Sequence, residues 1–281
     1  MIEINKSAER LIVALDVEDF KEAQEIVKRL RGDVGFFKIG FSLFIRYGHE
    51  IVKMVQDLGS KVFLDLKLHD IPKTVERATK AILDLKISMF TLHTLGGKEM
   101  LRVVSETISK AKIKEEPLSL GVTILTSLEE KSLREELGIN KNIEEAVLDL
   151  ATMAKNENLK GVVASPLEVK KIKAHLGKEF IVVCPGIRLK SSLDDQKDNE
   201  LPGSKVQELK LEELELGKIR PKKVLDDQRR TNSAYQAIKD GADFIVVGRP
   251  ILESLDLMAT VEKFFQEIEK GFQERGSFKD T

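Results

Sequence analysis

The chain has one cysteine, no tryptophan and two tyrosines, and it contains no long apolar run. A single thiol, Cys184, cannot close an intramolecular disulfide, so the sequence reads as that of a protein from a reducing compartment. Cysteine and histidine are nowhere paired at the spacing of a zinc site, and no metal is expected. No window approaches the ~20 apolar residues that a membrane span needs. The first residues, Met1-Ile-Glu-Ile-Asn-Lys6, lack the apolar core of a signal peptide. The expectation is a cytoplasmic protein with no membrane partner. An excess of one charge is missing too: 46 Lys and Arg face 47 Asp and Glu. That balance argues against nucleic acid as a partner, which calls for a clustered positive excess. It leaves room for a small anionic ligand, which one or two local cations can hold.

What is present is a rhythm. Short apolar, β-branched runs occur at 11–15, 34–39, 61–66, 88–93, 118–125, 161–164, 180–184 and 243–247. Runs of this kind suit strands buried on both faces, as in a parallel sheet. Between them lie amphipathic segments, charged on one side, at 18–31, 41–58, 72–86, 97–111, 128–157, 166–175, 232–241 and 254–270. This alternation predicts an α/β fold, a (β/α)8 TIM barrel spanning 1–281 as a single domain. A doubly wound open sheet is the other candidate, but the first strand is followed by Leu15-Asp-Val-Glu-Asp19 where that fold has a glycine-rich turn. Residues 190–225 break the rhythm with a polar, Lys- and Glu-rich stretch and read as an insertion loop. Residues 271–281 read as a loosely held tail.

Barrel chemistry sits where strands run into their C-terminal loops. Several strands end there in charge: Asp16 after the first, Lys38 near the end of the second, Asp65 and Lys67 at the end of the third, with Asp70 beyond. Strand alternation places Asp65 and Lys67 on one face and Leu64 and Leu66 on the other. Lys38, Asp65, Lys67 and Asp70 can form an alternating chain of cations and anions. Rim salt bridges are the ordinary reading of any one of these residues. Four charges converging on one barrel mouth point to a site, because burying charge is costly unless it is paired. An ammonium between carboxylates stays protonated and can both oppose a developing carbanion and protonate it. At the last two strand ends, Pro185-Gly-Ile-Arg188 and Gly248-Arg249 offer a phosphate grip, with Gly248 allowing close backbone approach. Thr126 and Ser127 end the fifth strand and can meet a ligand. His93, His69, His49 and Cys184 read as packing or surface residues.

These pieces together resemble the orotidine 5′-phosphate decarboxylase family, in its shorter bacterial type. They are Ala14-Leu-Asp16, Phe37-Lys38-Ile-Gly40, Asp65-Leu-Lys67-Leu-His-Asp70-Ile-Pro72, Leu125-Thr126-Ser127, Pro185-Gly-Ile-Arg188, Asp227-Gln228-Arg-Arg230 and Gly248-Arg249-Pro250, in family order. The resemblance implies a barrel of the ribulose-phosphate-binding type that decarboxylates orotidine 5′-phosphate to uridine 5′-phosphate without a cofactor. It implies a homodimer with shared active sites. Lys67 then resembles the proton donor, Asp65 the carboxylate beside the leaving group, and Asp70 with Thr74 the part given to the neighbouring site. Asp16 and Lys38 resemble ribose-side contacts and Thr126 a pyrimidine contact, while Pro185, Arg188, Gln228, Gly248 and Arg249 resemble the phosphate end. Gln196 sits in a second Asp-Asp-Gln and competes with Gln228, which fits better through the Arg-Arg that follows it. The chain departs from the family at Thr231-Asn-Ser-Ala234 and in the insertion. A magnesium-dependent relative acting on 3-keto sugar or hexulose phosphates, and a non-catalytic ligand-binding barrel, remain open from the residues alone.

Overall fold

A computed structural model describes residues 7–189 and 230–275. Its strands are β1 (Leu11–Ala14), β2 (Phe36–Ile39), β3 (Lys61–Leu68), β4 (Met89–His93), β5 (Leu118–Val122), β6 (Gly161–Val163), β7 (Ile181–Cys184), β8 (Ile187–Arg188), β9 (Asn232–Ser233) and β10 (Phe244–Val247). The strands β1 to β7 and β10 pair in parallel and close into an eight-stranded barrel, β10 sealing the gap between β7 and β1. The short strands β8 and β9 pair with each other outside it. The alternating pattern of the sequence therefore yields the expected TIM barrel.

Period-two alternation sorts the side chains. Ile12, Phe36, Phe63, Met89, Leu118, Val183 and Phe244 point inward and form a plug, with the Phe36 and Phe244 rings edge to face at 5.5 Å. Val13, Phe37, Leu64, Phe90 and Ile245 point outward into the larger core beneath the helices. One inward step up from the plug on their strands are Ala14, Lys38 and Asp65; Ala14 pairs with Lys38, and Lys38 with Phe63, two residues before Asp65. A polar layer thus lies on an apolar floor. The charges stand at the C-terminal mouth because the strands turn polar there.

The described helices are α1 (Ser7–Arg10), α2 (Phe20–Leu30), α3 (Phe41–Tyr47), α4 (His49–Asp57), α5 (Pro72–Asp84), α6 (Gly97–Ala111), α7 (Glu130–Glu135), α8 (Ile143–Asn156), α9 (Val169–Leu176), α10 (Ala234–Asp240), α11 (Arg249–Leu252) and α12 (Leu257–Arg275). None is long and apolar enough to cross a membrane. Local chemistry sets their ends. Asp19 starts α2 by accepting from the amides of Lys21 and Glu22, and Asn142 starts α8 through a capping box with Glu145.

Two expected helices are divided. The segment 41–58 breaks at Gly48, whose φ of 53° is left-handed. The segment 128–157 stops at α7 and restarts at the Asn142 cap. The expected strand 118–125 ends at Val122. The final helix runs through Arg275, into the segment read as tail. Gly271 packs so tightly on α10 that a Cβ would lie 2.6 Å from the Tyr235 carbonyl, and Arg275 donates to the Gly241 carbonyl at 2.8 Å. Residues 271–275 are therefore fastened. The expected insertion at 190–225 lies outside the described residues.

Candidate active site

The centre of the mouth is built by an irregularity in β3. Leu64 pairs with Phe90, yet the next registered pair is Leu68 with Leu92, so residues 65, 66 and 67 lie opposite Thr91 alone. Such a bulge re-aims side chains and interrupts the ladder. Lys67 occupies the left-handed region, with φ of 42°, which a long side chain adopts only when its surroundings hold it there. Its amide donates to the Thr91 hydroxyl at 2.8 Å, and that hydroxyl donates to Asp65 Oδ1 at 2.9 Å. Asp65 and Lys67 do meet, but through this bulge and not as alternate positions of a regular strand.

Lys67 Nζ lies 3.0 Å and 2.9 Å from the two Asp65 oxygens. Lys38 Nζ lies 3.6 Å from Asp65 and 3.3 Å from Asp16. The alternating chain within one subunit is therefore Asp16, Lys38, Asp65, Lys67. Asp70 was expected as its second anion. It is instead exposed, caps the Ile71 amide at 2.7 Å and makes no ion pair among the described residues. It follows the bulge and is carried outward, whereas Asp16 leaves β1 beside Lys38.

Asp65 and Lys38 are nearly buried, at 13% and 12% side-chain exposure. Burial alone would drive Asp65 up, but the Lys38 and Lys67 charges and the bonds from Lys67 and Thr91 outweigh it and hold its carboxyl below the usual range. Burial likewise works against the Lys38 ammonium, and the charges of Asp65 and Asp16 overcome it, so Lys38 is held above its ordinary value. The pair charges are thus fixed near neutral pH. Lys67 also sits over the Phe41 ring, 5.8 Å from its centroid.

These groups open on a cavity of about 720 Å³ that runs across the mouth to the far strand ends. Asp16, Lys38, Asp65 and Lys67 line it from the ends of β1 to β3, Thr126 and Ser127 from beyond β5, and Pro185, Arg188, Gly248 and Arg249 from beyond β7 and β10, which brings Gly248 next to Asp16. A Cβ on Gly248 would stand 2.9 Å from Asp16 Oδ2 and 3.4 Å from the Ala14 side chain, so a larger residue here would displace the Asp16 carboxylate. Thr74, like Asp70, is exposed and outside the cavity. Gln228 and Gln196 lie outside the described residues. Among the described residues, no group of three or more His, Cys, Asp or Glu side chains is placed to hold a metal ion.

Sequence reading missed three supporting residues. Thr91 is one; its only signal was a hydroxyl in the otherwise apolar stretch before His93. The others form a buried pair, Arg230 with Glu168 at 2.5 Å. Arg230 also donates to the carbonyls of Ile124 and Leu125 at 3.0 and 3.1 Å, fixing the chain just ahead of Thr126. Burial pushes the Glu168 carboxyl up to about 7 against the pull of Arg230. Near Asp70, the His69 and His93 rings stack at 5.3 Å. Burial, with the charges of His69 and Lys67, pushes His93 down to about 4, so it is neutral at physiological pH. Cys184 is buried and its thiol is pushed well up, as suits a core residue.

Known proteins resemble this chain over most of its length. The sequence pattern described as the orotidine 5′-phosphate decarboxylase / HUMPS family matches residues 9–211. A curated orotidine 5′-phosphate decarboxylase of Carboxydothermus hydrogenoformans is 42% identical over 265 residues, covering 93% of this chain and 97% of the relative. One from Syntrophus aciditrophicus is 39% identical over 274 residues, covering 96% and 97%. Among solved structures, the orotidine 5′-phosphate decarboxylase of Lactobacillus acidophilus superposes with a TM-score of 0.71 at 33% identity, covering 92% of this chain and 98% of that one.

Proposed function

The chain belongs to the orotidine 5′-phosphate decarboxylase / HUMPS family, and we propose from this that it converts orotidine 5′-phosphate to uridine 5′-phosphate and carbon dioxide in pyrimidine biosynthesis. The observation that carries the reading is the contact of Lys67 Nζ with the nearly buried Asp65 carboxylate, in a cavity that Arg188 and Arg249 also line. The phosphate lies by Arg188 and Arg249, beside Gly248 and Pro185, the ribose against Asp16 and Lys38, and the pyrimidine near Thr126. C6 then faces Lys67.

Cleavage of the bond from C6 to the carboxylate leaves the electron pair on C6 and releases carbon dioxide. The Lys67 ammonium opposes that charge in a site of low dielectric and then gives its proton to C6; the amine regains a proton from water. Asp65 faces the substrate carboxylate and disfavours it where it stands, and its two oxygens hold Lys67 Nζ in place. Phosphate contacts remote from C6 contribute binding energy that is realised in the transition state.

The homodimer completes the site. Phe41, Ile45 and Ile71 are large apolar residues at 51%, 78% and 67% exposure, Phe41 against Lys67, Ile45 on the same helix as Phe41, and Ile71 next to Asp70. Such exposed apolar groups suit a second copy, to which Asp70 and Thr74, exposed and outside their own cavity, are accessible. The direct test is ultraviolet absorbance after adding orotidine 5′-phosphate, with and without EDTA. Loss of substrate absorbance in both supports the reading. No change at high enzyme concentration in either contradicts it and favours a magnesium-dependent sugar-phosphate relative or a non-catalytic barrel.

A further inference from the structure

We infer that Thr91 is a positioning residue for the reaction: its hydroxyl fixes the β3 bulge and the Asp65 carboxylate together, and so places the Lys67 ammonium. This rests on the decarboxylase reading of the same site. Thr91 is 1% exposed and does not line the cavity, so it acts through its neighbours and does not touch substrate.

The geometry leaves the hydroxyl one arrangement. An ionised carboxylate can only accept, so the Thr91 proton goes to Asp65 Oδ1, 2.9 Å away. Its lone pairs are then free for the Lys67 amide at 2.8 Å, an N–H that the interrupted β3–β4 ladder leaves without a strand partner. One oxygen therefore satisfies the backbone of the lysine and orients the carboxylate that grips the same lysine's Nζ. Thr91 itself cannot drift. It is registered to Leu120 on β5, and branching at Cβ restricts its χ1. Without the hydroxyl, Lys67 would keep a left-handed backbone at φ of 42° with an unsatisfied amide, and the neighbouring turn would relax. Misplacing a proton donor by a fraction of its hydrogen-bond length slows the step it performs without weakening phosphate binding.

The test compares wild type, Thr91→Val and Thr91→Ser with orotidine 5′-phosphate. Wild-type turnover is the control: its absence would overturn the decarboxylase reading, whereas the Thr91 inference is judged only against a working wild type. Thr91→Val keeps the shape and removes the hydroxyl. Its kcat is expected to fall about ten- to a hundredfold with KM within about threefold, as for loss of a hydrogen bond to a charged group. Thr91→Ser restores the hydroxyl and is expected to recover most of the turnover. The acid limb of the kcat/KM profile supplies the readout that a purely structural role would not move. Asp65 is faced by Lys38 from β2, Lys67 from β3 and Thr91 from β4, with Asp16 behind Lys38. Losing the Thr91 bond shifts that limb upward in Thr91→Val and not in Thr91→Ser. Equal kcat in Thr91→Val and wild type overturns the inference, as does an unmoved acid limb. If Thr91→Val and Thr91→Ala fail to fold while Thr91→Ser folds, the hydroxyl serves the fold and not the site, and the inference is wrong.

Discussion

Asp65→Asn removes one charge and almost no volume, and the structure sets what that should cost. Asp65 holds Lys67 at 2.9 Å and Lys38 at 3.6 Å, and it is 13% exposed. At an effective dielectric of about 20, each contact is worth about 5 kcal/mol before desolvation. Removing one member of a buried pair costs about 3–5 kcal/mol net, because the partner charge stays behind. Here two ammoniums are left facing a neutral amide. Against a total stability of about 5–15 kcal/mol, that is a large fraction. Urea denaturation of both proteins at pH 7 reads the difference directly. The sign of the pH dependence follows from the direction of the Asp65 shift. A carboxyl held low in the fold contributes fully above its unfolded value near 3.9, and the contribution fades as pH falls through the folded value. The gap between the two proteins should thus be steady above about pH 5 and shrink in acid. A difference below about 1 kcal/mol at pH 7 would refute the reasoning, since it would mean solvent already screens the pair.

Other outcomes follow from the same geometry. His93 should titrate near about 4 by NMR. Because its folded value lies below the usual 6.5, stability should be lost as pH falls from 6.5 toward 4, and His93→Gln should flatten that slope; a His93 that titrates normally contradicts the packing described. Ile45→Asp with Ile71→Asp should give a monomer in sedimentation and lower turnover; a dimer of unchanged affinity would remove the rim from the interface. If sites are shared, mixing inactive Lys67→Ala with inactive Asp70→Ala should recover about a quarter of wild-type activity, because half the dimers are mixed and each has one intact site. No recovery after subunit exchange would place Asp70 outside the neighbouring site.

Much of the fold was legible because strands buried on both faces leave a strong apolar signature, and their C-terminal ends turn polar at Asp16, Lys38 and Asp65. The break at Gly48 and the restart at Asn142 were missed because hydrophobic period alone does not register a cap or a left-handed turn. The bulge was not legible. Alternation in Asp65-Leu-Lys67 gives the right neighbours for the wrong reason, and the register that makes Thr91 their partner exists only once β3 and β4 pair. The same holds for Arg230 and Glu168, which are far apart in sequence and meet through packing. Asp70 was placed in the charge chain by proximity in sequence, but the turn after β3 carries it outward.

The central claim concerns Lys67, and one substitution tests it most directly. Lys67→Ala removes an ammonium that is part of no strand ladder, so its circular dichroism should match wild type. Its turnover of orotidine 5′-phosphate, followed by ultraviolet absorbance, should fall by on the order of 10⁴-fold or more, the combined loss of charge stabilisation and proton donation. Turnover within tenfold or so of wild type in a folded Lys67→Ala protein would contradict the account.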